Sequence, residues 1–127
     1  MPSEFLDTLP GAQQLAEQFG RVPDFHDAEV ISLVLRRAGI STLTVQPFPP
    51  DDPRLVEFTF VGLSDLELFD FSSQNVINSL SVERVTNSAS KQVFRMHLSP
   101  CYGLSGWIEA ENISIIPTEG ERAATQP

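Results

Sequence analysis

A histidine and two carboxylates stand close together in this chain, and these residue types can bind a metal ion or transfer a proton. They belong to the segment Phe25-His26-Asp27-Ala28-Glu29-Val30, which runs directly into a β-forming apolar sequence. His26, Asp27 and Glu29 are ligand types that suit zinc or iron, provided that His97, the second histidine, completes the set in space. The spacing therefore leaves a small metal-dependent hydrolase open as one interpretation.

The same segment also fits a purely structural role. A histidine at a strand entrance commonly hydrogen-bonds to a neighbouring carboxylate or backbone group. An aspartate there can direct the chain into the strand through an Asx-type turn. Phe25 and Val30, at the two ends, are apolar, whereas the polar middle can satisfy backbone groups locally. We favour this interpretation, in which the segment is a turn that defines the fold.

Other reactive side chains do not assemble into a catalytic set. Cys101 has His97 as its candidate base, but the surrounding sequence carries no cation that would lower the pKa of the thiol. We therefore expect a buried, inert cysteine. Glu109 and Glu111 fall on one face of a predicted strand, where two carboxylates could serve glycoside hydrolysis. Such a pair more commonly belongs to an exposed face, which is what we expect here.

The aromatic residues are predicted to be mostly core. Nine phenylalanines lie largely within strand-forming segments, and aromatic residues at alternate strand positions are usually buried. Trp107 is the single tryptophan, and we predict it to lie in the core as well. The alternative is that Trp107 is a surface anchor for a partner.

The charge balance limits the partners that the chain can bind. Lys and Arg number 8 against 17 Asp and Glu, a formal net charge of −9. Nucleic acid and anionic membrane surfaces need a basic face, so neither is an expected partner. No basic residue stands between Arg54 and Arg84, where there are five acids: Glu57, Asp65, Glu67, Asp70 and Glu83. They form either a solvated surface or an electronegative patch that steers a basic partner.

Length and cysteine content indicate the broad class. A chain of 127 residues with 41% hydrophobic residues fits one globular domain with its own core. The single cysteine excludes an internal disulfide and favours a reducing interior. The N-terminal sequence lacks the basic and apolar regions of a signal peptide, and no apolar run approaches the ~18 residues of a membrane span. We expect a cytoplasmic protein.

One short helix precedes a β-rich chain. The segment 9–20 is predicted to be helical after a turn at its start, because Ala12, Leu15, Ala16 and Phe19 have helical spacing, and Gly20 is a suitable C-terminal stop. Residues 28–46 form a predicted hairpin. A proline-rich loop over 47–53 cannot be a central strand, because proline removes ladder donors. Alternation of apolar and polar residues predicts a half-buried strand over 54–61.

The rest of the chain is predicted as strands joined by turns. Residues 62–65 are predicted to turn the chain. Residues 72–80 are ambiguous, because their apolar residues have helical spacing after serines that could cap a short helical turn. Together these signals predict an α+β fold, mainly an antiparallel β-sheet or small sandwich with a short N-terminal helix. It would be a single domain over residues 1–118 with a flexible C-terminal tail at 119–127.

Four segments, in order along the chain, resemble a known bacterial family. Phe25-His26-Asp27-Ala28-Glu29-Val30 looks like the Phe-His-Asp-x-Glu-Val signature of immunity protein 50, a family of polymorphic toxin systems. Residues 56–60 with 66–68 are similar to its middle strands, and Gln74-Asn75-Val76-Ile77 to its Gln-Asn-Val-Ile segment. Residues 102–110 resemble its Gly-x-x-Gly-x-Ile strand. The order and spacing hold over most of the chain.

The resemblance implies a protein without enzymatic activity or cofactor that binds and neutralises a cognate toxin. An acidic inhibitor would suit a toxin with a basic cleft, as in many nucleases, because opposite charges steer association. The residues expected to contribute to toxin binding are Glu57, Asp65, Glu67 and Asp70. Two alternatives stay open: the metal-dependent hydrolase, and a structural domain that forms a homodimer through exposed strand edges.

Overall fold

The architecture is a single closed sheet preceded by a short helical segment. A computed structural model describes residues 6–118. A 3-10 turn at Leu6–Thr8 and helix α1 at Ala12–Phe19 come first. The six strands are β1 (Ala28–Val34), β2 (Ile40–Gln46), β3 (Leu55–Phe69), β4 (Val76–Thr86), β5 (Gln92–Tyr102) and β6 (Ser105–Thr118).

The sheet is antiparallel throughout and closes on itself in the order β1-β2-β3-β6-β5-β4. Strands account for 57% of the described residues and helices for 10%. The prediction of a mainly antiparallel sheet with a short N-terminal helix is therefore confirmed. The α+β class and the small sandwich are not confirmed, because hydrogen bonds join all six strands into one ring.

Apolar side chains fill the inside of the ring. In β3, alternation directs Val56, Phe58 and Phe60 inward, and all three are fully buried. Met96 of β5 and Ile108 of β6 continue the same core. The period-two pattern therefore fixes which face of each strand is buried.

Helix α1 packs against one end of this core. Ala12 and Leu15, on its apolar stripe, are buried. The chain before α1 is attached to β6, because the backbone N–H of Ile115 donates to the carbonyl oxygen of Pro10 at 2.7 Å. A Cβ atom at Gly11 would lie 1.8 Å from the Ile115 carbonyl oxygen. Only glycine therefore permits this close approach.

Several predicted elements are confirmed. The helix predicted within residues 9–20 corresponds to α1, and Gly20 ends it with a left-handed φ of 85°. The predicted hairpin over 28–46 matches β1 and β2, which pair antiparallel. These elements depend on local sequence, so local signals suffice to predict them.

The predicted turn at 62–65 is wrong, because β3 continues without interruption to Phe69. Gly62 adopts a φ of 73°, and the register with β6 shifts between Leu63 and Asp65. A glycine and a bulge bend and twist a long strand here instead of ending it. Asp65 consequently lies on a strand rather than in a loop.

The ambiguous segment 72–80 belongs mostly to β4, which begins at Val76. Ile77 and Leu80 are both buried. A register shift between Ile77 and Ser79 inserts an extra residue, so side chains three positions apart reach the same face of a strand. The bulge therefore explains why the apolar residues show helical spacing without forming a helix.

Arg54 connects the start of β3 to the end of α1. Its Nη1 donates to the Gln18 carbonyl oxygen at 2.7 Å, and its guanidinium lies 4.1 Å from the ring centroid of Phe19. Nε and Nη2 also donate to the two carboxylate oxygens of Asp52, at 3.0 and 2.7 Å. Arg54 lowers the pKa of the Asp52 carboxyl through these hydrogen bonds. The guanidinium therefore satisfies a terminal carbonyl of α1 and holds the helix against the sheet.

Two further predictions concern a membrane-spanning segment and the C-terminal tail. Among residues 6–118, neither helical segment is long and apolar enough to cross a membrane. The predicted flexible tail at 119–127 lies outside the described residues.

We expect the substitution Arg54→Ala to lower the free energy of unfolding by about 1–2 kcal/mol, because it removes charged hydrogen bonds and a cation–π contact. Urea denaturation measures this loss. Arg21→Ala, at an exposed position beside the same helix, should change stability by at most about 0.5 kcal/mol. Equal effects of the two substitutions would show that Arg54 does not hold α1.

Candidate functional site

The segment Phe25–Val30 forms the entrance to β1 and closes the ring of strands. Phe25 is 1% exposed and contacts Phe58 edge-on, with ring centroids 5.5 Å apart. Phe25 and Asp27 both have positive φ, at 63° and 66°. Two left-handed residues turn the chain sharply just before the strand. Asp24 supports this turn, since its Oδ1 accepts the backbone N–H of His26 at 2.9 Å.

The polar middle of the segment hydrogen-bonds to β4 and the loop before it. The N–H of Asp27 donates to the Ile77 carbonyl oxygen at 2.8 Å, and the N–H of Val30 to that of Asn75 at 2.9 Å. Nδ1 of His26 donates to the Asn78 carbonyl oxygen at 3.0 Å. These bonds agree with the structural interpretation of the segment as a turn that defines the fold.

His26 is an exposed histidine whose pKa is raised. The hydrogen bond to the Asn78 carbonyl is the main cause, and the negative charge of Asp27 adds to it. The distance from Nε2 of His26 to the Asp27 carboxylate is 3.7 Å. Both contacts favour the protonated imidazole.

The other proposed metal ligands have different neighbours. Glu29 lies in β1 between Gln46 and Val76 in the register of the sheet. Nε2 of His97 contacts Oε2 of Glu83 at 2.5 Å. Within residues 6–118, no three His, Cys, Asp or Glu side chains are grouped so that they could hold a metal ion. The hydrolase interpretation thus gains nothing from this geometry.

Cys101 is exposed, so the prediction of a buried thiol is wrong. Its Sγ lies 3.7 Å from Oδ1 of Asp27. Desolvation is the main cause of a raised pKa of the thiol, and Asp27 raises it further. The thiol is therefore a poor nucleophile near neutral pH although solvent reaches it.

Asn75 is the buried centre of the loops beside this closure. Its Oδ1 accepts the N–H groups of Ser72 and Leu104 at 3.0 and 2.8 Å, and its Nδ2 donates to the Ser72 carbonyl at 2.9 Å. Gly103 packs against it so closely that a Cβ there would lie 2.4 Å from Oδ1. The Gln-Asn-Val-Ile and Gly-x-x-Gly segments therefore meet in space.

A second group of polar side chains lies on the outer surface of β3, β6, β5 and β4. These residues alternate with core residues such as Ile108 and Met96. The register places Asp65, Glu109, Arg95 and Glu83 in one row across the sheet, and Glu67, Trp107, His97 and Ser81 in the next. We call these two rows the Trp107 face.

A carboxylate at the centre of the Trp107 face organises its neighbours. Glu109 is 4% exposed. Its Oε1 accepts Nη2 of Arg95, and its Oε2 accepts the hydroxyl of Ser64, both at 2.9 Å. The Arg95 guanidinium lies 4.2 Å from the Trp107 ring centroid. The bonds from Glu109 thus hold an arginine stacked on a partly buried tryptophan.

This arrangement corrects two predictions. Trp107 is not a core residue, because Ile108 and Ala110 take the inward positions of this part of β6. Glu109 and Glu111 are not an exposed pair, since Glu109 is buried. The Glu111 side chain is 45% exposed and contacts Lys91 at 2.6 Å.

The acids predicted to bind a toxin do not form one cluster. Asp65 and Glu67 are exposed on the Trp107 face, and Asp70 directly follows the end of β3. Glu57 is eight residues before Asp65 on the same strand, which corresponds to roughly 25 Å. The structure therefore separates Glu57 from the other three.

Sequence reasoning missed the residues at the centre of the Trp107 face. No local signal links Arg95 or Ser64 to Glu109, because Glu109 is distant from both in sequence. Alternation in β5, where Met96 and Leu98 are apolar, was a signal that could have placed Arg95 and His97 together on the opposite side.

Comparisons with known protein families, with curated proteins and with solved structures found no match to this chain. The resemblance to immunity protein 50 therefore stays a prediction.

We expect the pKa of His26 to lie above its ordinary value of 6.5. A folded-state pKa above the unfolded one stabilises the protein fully below about pH 6.5, and this contribution is lost as pH rises through the folded-state pKa. NMR titration measures the pKa, and urea midpoints of wild type and His26→Ala should differ more in acid than in base. Asp27→Asn should lower the pKa only in part; an unshifted wild-type pKa contradicts the Asn78 contact.

We expect Glu109→Ala to lower the free energy of unfolding by about 2–3 kcal/mol, because it leaves Arg95 and Ser64 without their acceptor. Glu111→Ala removes an exposed ion pair and should cost about 0–1 kcal/mol. Urea denaturation measures both. Trp107 is the single tryptophan, so its native fluorescence should change in Glu109→Ala when Arg95 is released. Equal losses with unchanged fluorescence would contradict the central role of Glu109.

Proposed function

We propose that this chain is a non-enzymatic immunity protein that binds a cognate bacterial toxin through the Trp107 face and thereby neutralises it. The observation that carries the proposal is the pre-ordered centre of this face, where Glu109 holds Arg95 against Trp107. Tryptophan and arginine are the residue types that most often dominate binding energy at interfaces. The resemblance to immunity protein 50 supplies the kind of partner.

The centre of the Trp107 face is already ordered in the free protein, which favours tight binding. The Arg95 side chain is 30% exposed, and it is held by a carboxylate and an aromatic ring. A partner that contacts this centre therefore loses less side-chain entropy than it would on a mobile arginine. Phe69, which ends β3 beside the same face, is 54% exposed and adds apolar area.

The charge of the face indicates a basic partner. Asp65, Glu67 and Glu83 are exposed around the centre, and the charge of Arg95 is neutralised by Glu109. The whole chain carries a net charge of −9. Opposite charge on the toxin would speed association and orient the two surfaces, with the rim acids acting mainly on the association rate.

The metal-dependent hydrolase is the weaker candidate. Within residues 6–118, no three His, Cys, Asp or Glu side chains, His26 and Asp27 included, are grouped so that they could hold a metal ion. No contact in the described residues favours the hydrolase over an interaction protein. A cytoplasmic location belongs to the same proposal, because an exposed, unpaired Cys101 suits a reducing compartment.

Growth rescue tests the proposed function. The reading frame beside this one in the source genome is expressed under tight control, alone and together with this chain. We expect the neighbour to arrest growth and the chain to restore it. A toxic neighbour that kills in the presence of the folded chain would contradict the pairing.

Matched charge reversals then test the surface. We expect Asp65→Lys combined with Glu67→Lys to slow association on the order of 10- to 100-fold and to weaken its salt dependence. Trp107→Ala should weaken binding on the order of 30-fold, the effect of losing a central anchor. Glu57→Lys, on the same strand but away from the face, is the control and should leave rescue intact. Loss of rescue with Glu57→Lys alone would place the contact elsewhere on β3.

A further inference from the structure

Strand β3 is covered on both sides along its first half only. From Val56 to Val61 it lies between β2 and β6. From Asp65 to Phe69 it pairs with β6 through consecutive residues without a further register shift. Among residues 6–118, no strand pairs with the other side of this second segment. We call Asp65–Phe69 the free edge of β3.

The side chains of the free edge alternate between solvent and core. Asp65, Glu67 and Phe69 are exposed. Leu66 and Leu68 are partly buried and pack against the core. A strand that pairs with this edge must follow the same alternation, because directly opposite side chains lie on the same face of a sheet.

The exposed positions of the free edge select a basic strand. Asp65 and Glu67 would each lie beside a side chain of the incoming strand, where opposite charges stabilise a sheet and like charges destabilise it. The Asp65 carboxylate already lies at the backbone, since its Oδ1 accepts the N–H of Leu66 at 2.8 Å. Basic side chains therefore suit the outer face of the incoming strand, and apolar side chains suit the inner face beside Leu66 and Leu68.

The same charges disfavour a second copy of this chain as the occupant. If two such edges paired antiparallel, a two-fold axis at Glu67 would place Glu67 opposite itself. An axis at Leu66 would place Asp65 opposite Glu67 twice. Acids that lie directly opposite each other repel, and charged side chains commonly protect strand edges from self-pairing. A basic strand from a different protein meets no such repulsion.

We propose that the free edge of β3 binds an extended basic segment of the toxin, which pairs with β3 as an additional strand. This segment alternates lysine or arginine on its outer face with apolar residues on its inner face. In this mode of recognition, main-chain hydrogen bonds supply affinity and side chains supply specificity. The free edge borders the Trp107 face, because Glu67 pairs with Trp107 in the register. The identity of the partner rests on the proposed function.

The first test uses a peptide and needs no toxin. The probe is a short peptide with blocked ends that alternates lysine and valine, added to the isotope-labelled chain. We expect amide NMR shifts to concentrate at Asp65–Phe69 and to be small at Val56–Val61, where β2 already pairs. A peptide in which all lysines precede all valines has the same composition without the alternation, and it should bind about 10-fold more weakly or worse.

N-methylation of the peptide tests backbone pairing directly. Alternate N–H groups of a strand point to opposite sides, so only one of the two alternate sets can donate to β3. Methylation of that set should weaken binding on the order of 10- to 100-fold, because it removes several hydrogen bonds. Methylation of the other set should change the affinity by less than about 3-fold. Equal effects of the two sets would contradict the added strand.

A charge exchange on the chain tests the chemistry of the partner. Asp65→Lys combined with Glu67→Lys should lose the lysine–valine peptide and bind a glutamate–valine peptide in its place. Glu57→Lys is the matched control, because Glu57 is paired with both β2 and β6, and this variant should behave as wild type. A folded double variant that binds neither peptide would contradict the selection by charge.

Failure of the added strand and failure of the proposed function give different results. An alternating peptide that does not bind at millimolar concentration would overturn the added strand, whereas growth rescue would still decide the immunity role. A chain that dimerises without peptide, with shifts at the free edge, would also overturn it, since a second copy would then be the occupant. Peptide binding with the unequal effects of N-methylation supports the added strand even if the neighbouring reading frame is harmless.

Discussion

Closure of the sheet between β1 and β4 is the constraint on which the other features depend. The two strands share only the register pairs Ala28–Ile77 and Glu29–Val76. The turn at Phe25–Val30 supplements them with three hydrogen bonds to β4 and the loop before it. A closed sheet has no open side through which solvent reaches its core. The buried Phe25 side chain and the hydrogen bonds of His26 and Asp27 both contribute to this closure. The cluster that first suggested chemistry is therefore explained by closure.

The pairing between β1 and β4 is short, and this also affects the protein surface. Because β4 leaves β1 after two pairs, no strand within residues 6–118 pairs with the rest of that edge of β1. Bulges in β3 and β4 adjust the long strands to the ring, and they keep Leu66, Leu80 and Ile108 in contact with the core. The alternate positions then face solvent. Packing of the core thus determines where the Trp107 face lies.

Whether a feature could be predicted depended on how far apart in sequence the interacting residues are. Helix α1, its end at Gly20 and the hairpin of β1 and β2 follow from neighbours in sequence, and these predictions are confirmed. The turn at 62–65 was wrong because glycine and serine mark a bulge as readily as a turn, and only pairing with β6 distinguishes the two. The burial of Cys101 and of Trp107 was also predicted wrongly, since the identity of a residue does not reveal which side of a strand the core occupies.

The sequence by itself determined the acidic charge, the strand-rich composition, the short helix and the alternation that buries Val56, Phe58 and Phe60. These properties depend on residue type and on local spacing. Tertiary structure decided that the strands form one ring, that Glu57 stands apart from Asp65 and Glu67, and that Glu109 binds Arg95 and Ser64. Those outcomes depend on register between strands distant in sequence, because a shift of one residue moves every side chain to the opposite face.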